Sequence, residues 1–315
     1  MAQSDLFFLP LNEKEDIAYK NIRDGGSDGA IQWRECSEEL WKIFGPYANA
    51  QFREKAQEQF FPFWWEMFLG VTFLENGFNL EKTEIDQPDI CIKDKDSLIW
   101  VEATMPQHGE GADRVLERRT IKEVGMAQLV PNEQIILRYT SVARDKNINY
   151  KERLERGIIK EADPYVIAIH GYCLKDTPPH EGIPLIVKAL YPVGDLTVTF
   201  SKHHTETETF YITREVIFKK NKTGIGTSVF LKEGKDDYNG ISGVLFSHKA
   251  PAHWTTVPPQ RDFIFIHNYL ARNPISLGSI KFAEEYYIQE KDDDLILKPF
   301  YKPEDELPDQ KKKTS

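Results

Sequence analysis

Three short stretches decide how this chain is read: FWWEMFLG (63–70), PDICI (88–92) and WVEAT (100–104). In the first, Glu66 interrupts an apolar run of helical character. Pro62 suits the first turn of that helix and Gly77 its C-terminal cap. The helical neighbours of Glu66 at three, four and seven residues are Pro62, Phe63, Leu69, Gly70 and Phe73. A carboxylate on such a face points towards the core, where it needs a donor, a cation or a proton. The plainer alternative is a helix turned so that Glu66 lies at its solvent edge, since carboxylates are rarely buried. Gly70, one turn on, is expected to leave space beside it.

Beyond Gly77 the period changes from helical to alternating. Phe78–Glu84, Asp89–Lys93 and Leu98–Thr104 are predicted as three strands, with the charged turn 93–97 joining the last two as a hairpin. Alternation puts Asp89 and Cys91 on one face of their strand, and Glu102 and Thr104 on one face of theirs. As antiparallel neighbours, the two strands bring Asp89 and Glu102 together at one end of a sheet. Carboxylates so placed repel unless a cation or a proton joins them. Oxygen donors of this kind suit Mg²⁺. Glu102 is therefore expected to be buried, with a raised pKa in the metal-free protein.

Working outward, residues 1–30 look irregular. Residues 31–44 and 47–60 look helical, and Gly45-Pro46 separates them. Residues 112–129 are predicted helical, Ile135–Tyr139 a strand, 141–160 a charged amphipathic helix and Pro164–His170 a strand. The remainder is predicted as strands: Pro184–Tyr191, Leu196–Phe200, Thr209–Lys219, Thr227–Lys232, Ser242–Phe246 and Phe263–His267. The expected fold is α/β, a central mixed sheet flanked by helices with a β-rich C-terminal extension. The expected divisions are an N-terminal segment 1–50, an α/β core 51–175, a β-rich extension 176–302 of the same domain and a disordered tail 303–315.

The 315 residues include 40 basic and 50 acidic side chains, a net charge of −10. So acidic a chain is a poor general binder of polyanions, and any nucleic-acid site has to be a local groove or a place where metal offsets carboxylates. Cys36, Cys91 and Cys173 lie far apart without a CxxC pair, which argues against a disulfide framework or a cysteine zinc site. The N-terminus lacks a basic leader, and the longest apolar stretch, 60–74, is too short to span a bilayer and contains Glu66. A cytoplasmic protein without membrane partners is expected. Its oligomeric state is left open.

The three stretches together resemble the PD-(D/E)xK, or restriction-endonuclease-like, nuclease superfamily. The resemblance covers residues 50–170. It implies that Asp89 and Glu102 hold a divalent metal, Mg²⁺ or Mn²⁺, with Glu66 as an accessory ligand. It also implies a lysine two positions after the second acid, and there this chain has Thr104. A threonine supplies no positive charge beside the nucleophile. Some family members carry that lysine on another element. Lys82, Lys146 and Lys151 are available, with Lys146 the first candidate and a solvated surface lysine the plain alternative. The expected activity is phosphodiester hydrolysis with metal-activated water. The alternatives are a catalytically silent binding or assembly module and a hydrolase of another phosphate ester.

Other features read more simply. His203-His204 with Glu206 and Glu208 match no ligand spacing and read as a solvated segment. His170 and His267 end apolar runs and read as core histidines. Gly224-Ile225-Gly226 reads as a turn. Arg114, Arg118, Arg119 and Lys122 form a basic stripe broken by Glu117 and Glu123, a charged helix face before a phosphate contact. The segment DFIFIHN (262–268) reads as a buried strand and its turn.

Overall fold

The computed structural model of the chain describes residues 5–8, 13–95, 97–116, 131–174, 182–200, 207–234, 237–248, 263–292 and 294–300. Four helices come first: α1 (Ile17–Asp24), α2 (Asp28–Phe44), α3 (Phe52–Glu58) and α4 (Phe60–Glu75). The first two lie partly in a region expected to be irregular. Their starts are fixed by capping side chains: Asp16 accepts from the Ala18 amide at 2.8 Å and Ser27 from the Ala30 amide at 3.2 Å. Helix α4 is buried continuously from Trp64 to Phe73, as befits a helix apolar all round. It ends at Gly77, whose φ of +83° is the left-handed conformation a glycine cap provides.

Gly70 does not leave space beside Glu66. A Cβ at Gly70 would lie 2.3 Å from Cδ2 of Phe44, so the ring of α2 fills the gap. Gly70→Ala is expected to cost about 1–3 kcal/mol through forced repacking. A thermal unfolding midpoint unchanged from wild type would show that the contact is not tight.

One sheet organises the rest. Strands β1 (Asn79–Glu81), β2 (Ile90–Asp94) and β3 (Ser97–Thr104) run antiparallel in succession. Lys95, at φ +53°, turns the β2–β3 hairpin. The long helix α5 (Asn132–Glu155) then crosses to β4 (Tyr165–His170), which pairs parallel to β3. Helix α6 (Leu185–Leu190) follows. The ribbons β5 (Val193–Phe200) with β6 (Thr207–Thr213) and β7 (Val216–Phe218) with β8 (Gly224–Gly226) stand apart from the main sheet. Strands β9 (Gly243–Ser247), β10 (Phe263–His267), β11 (Ala283–Lys291) and β12 (Asp294–Phe300) complete it, in the order β1-β2-β3-β4-β9-β10-β11-β12. The fold is thus α/β, with a mixed eight-stranded sheet flanked by helices. One core layer joins α1–α4 to Val101, Val166 and Ala168; the other joins α5 and α6 to Trp100, Ile167 and Ile169.

Several expectations need correction. Ile135–Tyr139 is not a strand. It opens α5, where Ile135, Tyr139 and Val142 bury one helical face. Pro184–Tyr191 is helix α6 rather than a strand, buried along its whole length with Pro184 at its N-cap. Val229–Leu231 forms a 3-10 turn where a strand was expected. Gly224-Ile225-Gly226 is strand β8, and the turn lies before it, where Lys222 has φ +67°. Segment 176–302 supplies half of the central sheet through β9–β12 as well as the two ribbons. Residues 303–315, the greater part of the predicted helix 112–129, and Arg118, Arg119, Lys122, His203, His204 and Glu206 lie outside the described residues.

Candidate functional site

The antiparallel register of β2 and β3 places Ile90 opposite Val101, so Asp89 and Glu102 meet at one end of the pair. Asp89 sits just before β2, half-buried, and its Oδ2 accepts from the Ala103 amide of β3 at 2.7 Å. Glu102 is 3 % exposed, and Glu66 on α4 is 4 % exposed, so Glu66 is a core carboxylate and not a solvent-edge one. Glu66 Oε1 is buried with no hydrogen-bond partner among the described residues.

Helix α5 brings the cations. Lys146 Nζ donates to Glu102 Oε1 at 2.9 Å. Arg153 donates from Nη1 to Glu102 Oε2, and Tyr165 Oη donates to the same oxygen at 3.3 Å. The same guanidinium reaches Tyr165 Oη at 2.9 Å and, through Nε, the carbonyl of Asp86 at 3.0 Å. Asp86 lies between β1 and β2 with φ +79°, and its carboxylate also takes Arg156 at 2.9 Å. Arg153 of α5 and Arg156 at its C-cap therefore both contact the loop that leads into Asp89. Of the other lysine candidates, Lys151 pairs instead with Asp237 at 3.6 Å, and Lys82 is exposed just after β1.

The electrostatics divide the three acids. Burial, then Asp89 and Glu102, push the Glu66 carboxyl well above the usual carboxylate range. Burial and Glu102 push Asp89 up to about 7, against the opposing pull of Lys146, the Ala103 amide and Arg153. Burial also pushes Glu102 up, but Lys146 and Arg153 outweigh it and leave its carboxyl below the ordinary value. The expected burial of Glu102 is thus met, but the expected rise in its pKa is corrected. The rise falls on Glu66 and Asp89, because α5 spends its cations on Glu102.

Among the described residues, no three His, Cys, Asp or Glu side chains converge closely enough to hold a metal as they stand. The donor set nevertheless fits a hard divalent cation. It is all carboxylate oxygen, one oxygen of Glu66 lacks a partner, and Glu66 and Asp89 repel each other until a proton or a cation intervenes. Glu102 would join such a set by releasing Lys146 or Arg153.

Arg153 and Tyr165 belong to this cluster and were not singled out from the sequence. Arg153 is seven residues beyond Lys146, two turns along the same helical face, which is the signal that exposes it. Removing it leaves Glu102 to Lys146 and Tyr165 and takes from the Asp86 loop one of its two arginine contacts. Arg153→Ala is expected to cost about 2 kcal/mol, less than the ~3–5 kcal/mol of a buried ion pair stripped of its only partner. Denaturant unfolding measures this; a loss below about 0.5 kcal/mol would make the pair a screened surface contact.

The remaining candidates are structural. His267 pairs with the buried Glu285 at 2.7 Å, and His170 packs its ring 4.5 Å from that of Trp65. Cys36, Cys91 and Cys173 are unpaired. No described helix is long and apolar enough to cross a membrane. Set against known proteins, the chain matches no family model, no curated protein and no solved structure.

Proposed function

We propose that this chain is a metal-dependent phosphodiester hydrolase of restriction-endonuclease-like design, acting through Asp89, Glu102, Glu66 and Lys146. The observation that carries the reading is the 2.9 Å bond from Lys146 to Glu102. A lysine from α5 stands beside the second acid, in a chain that has Thr104 where that lysine would otherwise follow. Bound Mg²⁺ or Mn²⁺ would supply a Lewis acid for the phosphoryl group and lower the pKa of a coordinated water. Asp89 and Glu66 would hold the ion as anions, giving up the protons that burial and mutual repulsion keep on them. Lys146 has three N–H donors and Glu102 takes one. The others would be available to the negative charge that builds on the phosphoryl oxygens. Lys146 and Arg153 together offset the acids locally, which a polyanionic substrate requires of so acidic a chain.

The test is cleavage of single- and double-stranded DNA and RNA at low salt with Mg²⁺ or Mn²⁺. Wild type is expected to cleave at least one of them and Asp89→Asn none. Equal cleavage by both removes the site.

A second reading, a catalytically silent binding module, draws on Arg153 and Tyr165 filling the second oxygen of Glu102. It prevails if purified wild type cleaves nothing while Asp89→Asn binds nucleic acid as wild type does.

A further inference from the structure

Around Glu102 the cations lie towards solvent and the acid lies behind them. The side chains of Lys146 and Arg153 are 20 % and 17 % exposed, that of Glu102 4 %. The two cations are held differently. Among the described residues, Lys146 has one hydrogen-bond partner, Glu102 Oε1. Arg153 has three. Its Nη1 donates to Glu102 Oε2 and, at 2.9 Å, to Tyr165 Oη, and its Nε donates to the Asp86 carbonyl at 3.0 Å. Two of these anchors do not depend on Glu102. Tyr165 is fully buried, with its ring 5.0 Å from that of Tyr150, and the Asp86 carboxylate is itself taken by Arg156 at 2.9 Å. Arg153 can therefore give up Glu102 and keep its place, whereas Lys146 would lose its one hydrogen bond. The guanidinium also has donors to spare. Of its five N–H groups three are used, and Nη2 has no partner among the described residues.

We propose that Arg153 exchanges a carboxylate for a phosphate: it holds Glu102 in the metal-free protein, yields Oε2 when a divalent cation binds, and then takes a phosphate oxygen of the substrate. The exchange rests on the hydrolase reading, whose metal site it presupposes, and adds to it the residue that receives the substrate. Charge drives each half. Glu102 already accepts from Arg153, Tyr165 and Lys146, so a further cation has to compete for it, and like charge sets that cation against the guanidinium. Once released, the guanidinium is a partly buried cation short of an acceptor, which is costly until an anion replaces the lost one. Its planar fork suits phosphate, which accepts two parallel N–H bonds from it. Cation and phosphate should consequently help each other to bind, with Arg153 as the link.

The test is calorimetric titration of Mg²⁺ into the full chain at pH 8, with and without inorganic phosphate, for wild type, Arg153→Met and Arg153→Lys. Without phosphate, Arg153→Met is expected to bind Mg²⁺ on the order of 10-fold more tightly than wild type, since one charge-assisted competitor for Glu102 is gone. Phosphate is expected to tighten Mg²⁺ binding by about 10-fold in wild type, clearly less in Arg153→Met, and by an intermediate amount in Arg153→Lys, which keeps the charge without the fork. Should Arg153→Met fail to fold, the side-chain N–H signals of Arg153 in wild type decide by NMR. The Nη signals should move on saturation with Mg²⁺ and again on adding phosphate, while Nε–H, still on the Asp86 carbonyl, stays protected from exchange. Mg²⁺ binding by Arg153→Met no tighter than by wild type, equal help from phosphate in both, or Nη signals unmoved by Mg²⁺ overturns the exchange and leaves the metal site standing. No Mg²⁺ binding by wild type removes the hydrolase reading, and the exchange with it.

Discussion

Lys146→Ala is expected to lower divalent-dependent cleavage by on the order of 10²-fold, the scale on which one preorganised donor to developing charge is lost. Attack on a phosphodiester adds negative charge to the phosphoryl oxygens while water loses a proton. Thr104 carries no cation to meet that charge, and Lys146 stands 2.9 Å from Glu102. Its removal takes away a positive charge where charge builds, and it leaves Glu102 to Arg153 and Tyr165. Thr104→Ala should change the rate little. Thr104→Lys in the Lys146→Ala background should recover part of it, because the lysine then returns to the position after the second acid. Single-turnover rates on one substrate make the comparison. Cleavage by Lys146→Ala at the wild-type rate would mean that this lysine is only a structural partner of Glu102.

Asp89→Asn is expected to stabilise the metal-free protein at alkaline pH while removing its response to metal. The Asp89 carboxyl is held at about 7 against an ordinary 3.8, so the folded state keeps the proton longer than the unfolded one. Below about pH 4 both states are protonated and the group contributes nothing. As pH rises towards 7 the unfolded chain ionises first, and stability falls; above that the loss is complete, up to about 4 kcal/mol. Glu66, also raised, acts in the same direction. Glu102 acts oppositely, since its carboxyl is lowered: its contribution is present above its unfolded pKa and is lost as pH falls through its folded value. Asparagine cannot ionise and still offers the Ala103 amide an acceptor, so the downward slope between pH 4 and 7 should shrink. Thermal melts at several pH values, with and without Mg²⁺, measure this. Identical slopes for wild type and Asp89→Asn would contradict the assigned shift.

The parts legible in the sequence are those where period and punctuation agree. Helix α4, the β2–β3 hairpin and strand β4 each carry an uninterrupted pattern and a turn or cap at the end. Glu66, Asp89 and Glu102 are legible because each breaks an apolar setting, and Lys146 because Thr104 leaves a charge missing. What failed were short apolar runs. Ile135–Tyr139 and Pro184–Tyr191 are as compatible with a buried helix as with a strand, and only their tertiary setting decides. Strands β11 and β12 escaped notice because AEEYYIQEK and DLILKPF mix charge into an outer-strand pattern. The division of pKa shifts was illegible for a different reason. It depends on which carboxylate the cations of α5 reach, a distance across 44 residues of sequence for Lys146 and 51 for Arg153.

Titration of Mg²⁺ or Mn²⁺ into wild type and Asp89→Asn by calorimetry, at pH 6 and pH 8 in buffers of different ionisation heat, bears most directly on whether these acids form a metal site. Wild type is expected to bind saturably and to release more protons at pH 6, where Asp89 still carries its proton, than at pH 8; Asp89→Asn is expected to give no saturable heat. Equal binding by the two proteins, or no binding by wild type at either pH, would contradict it.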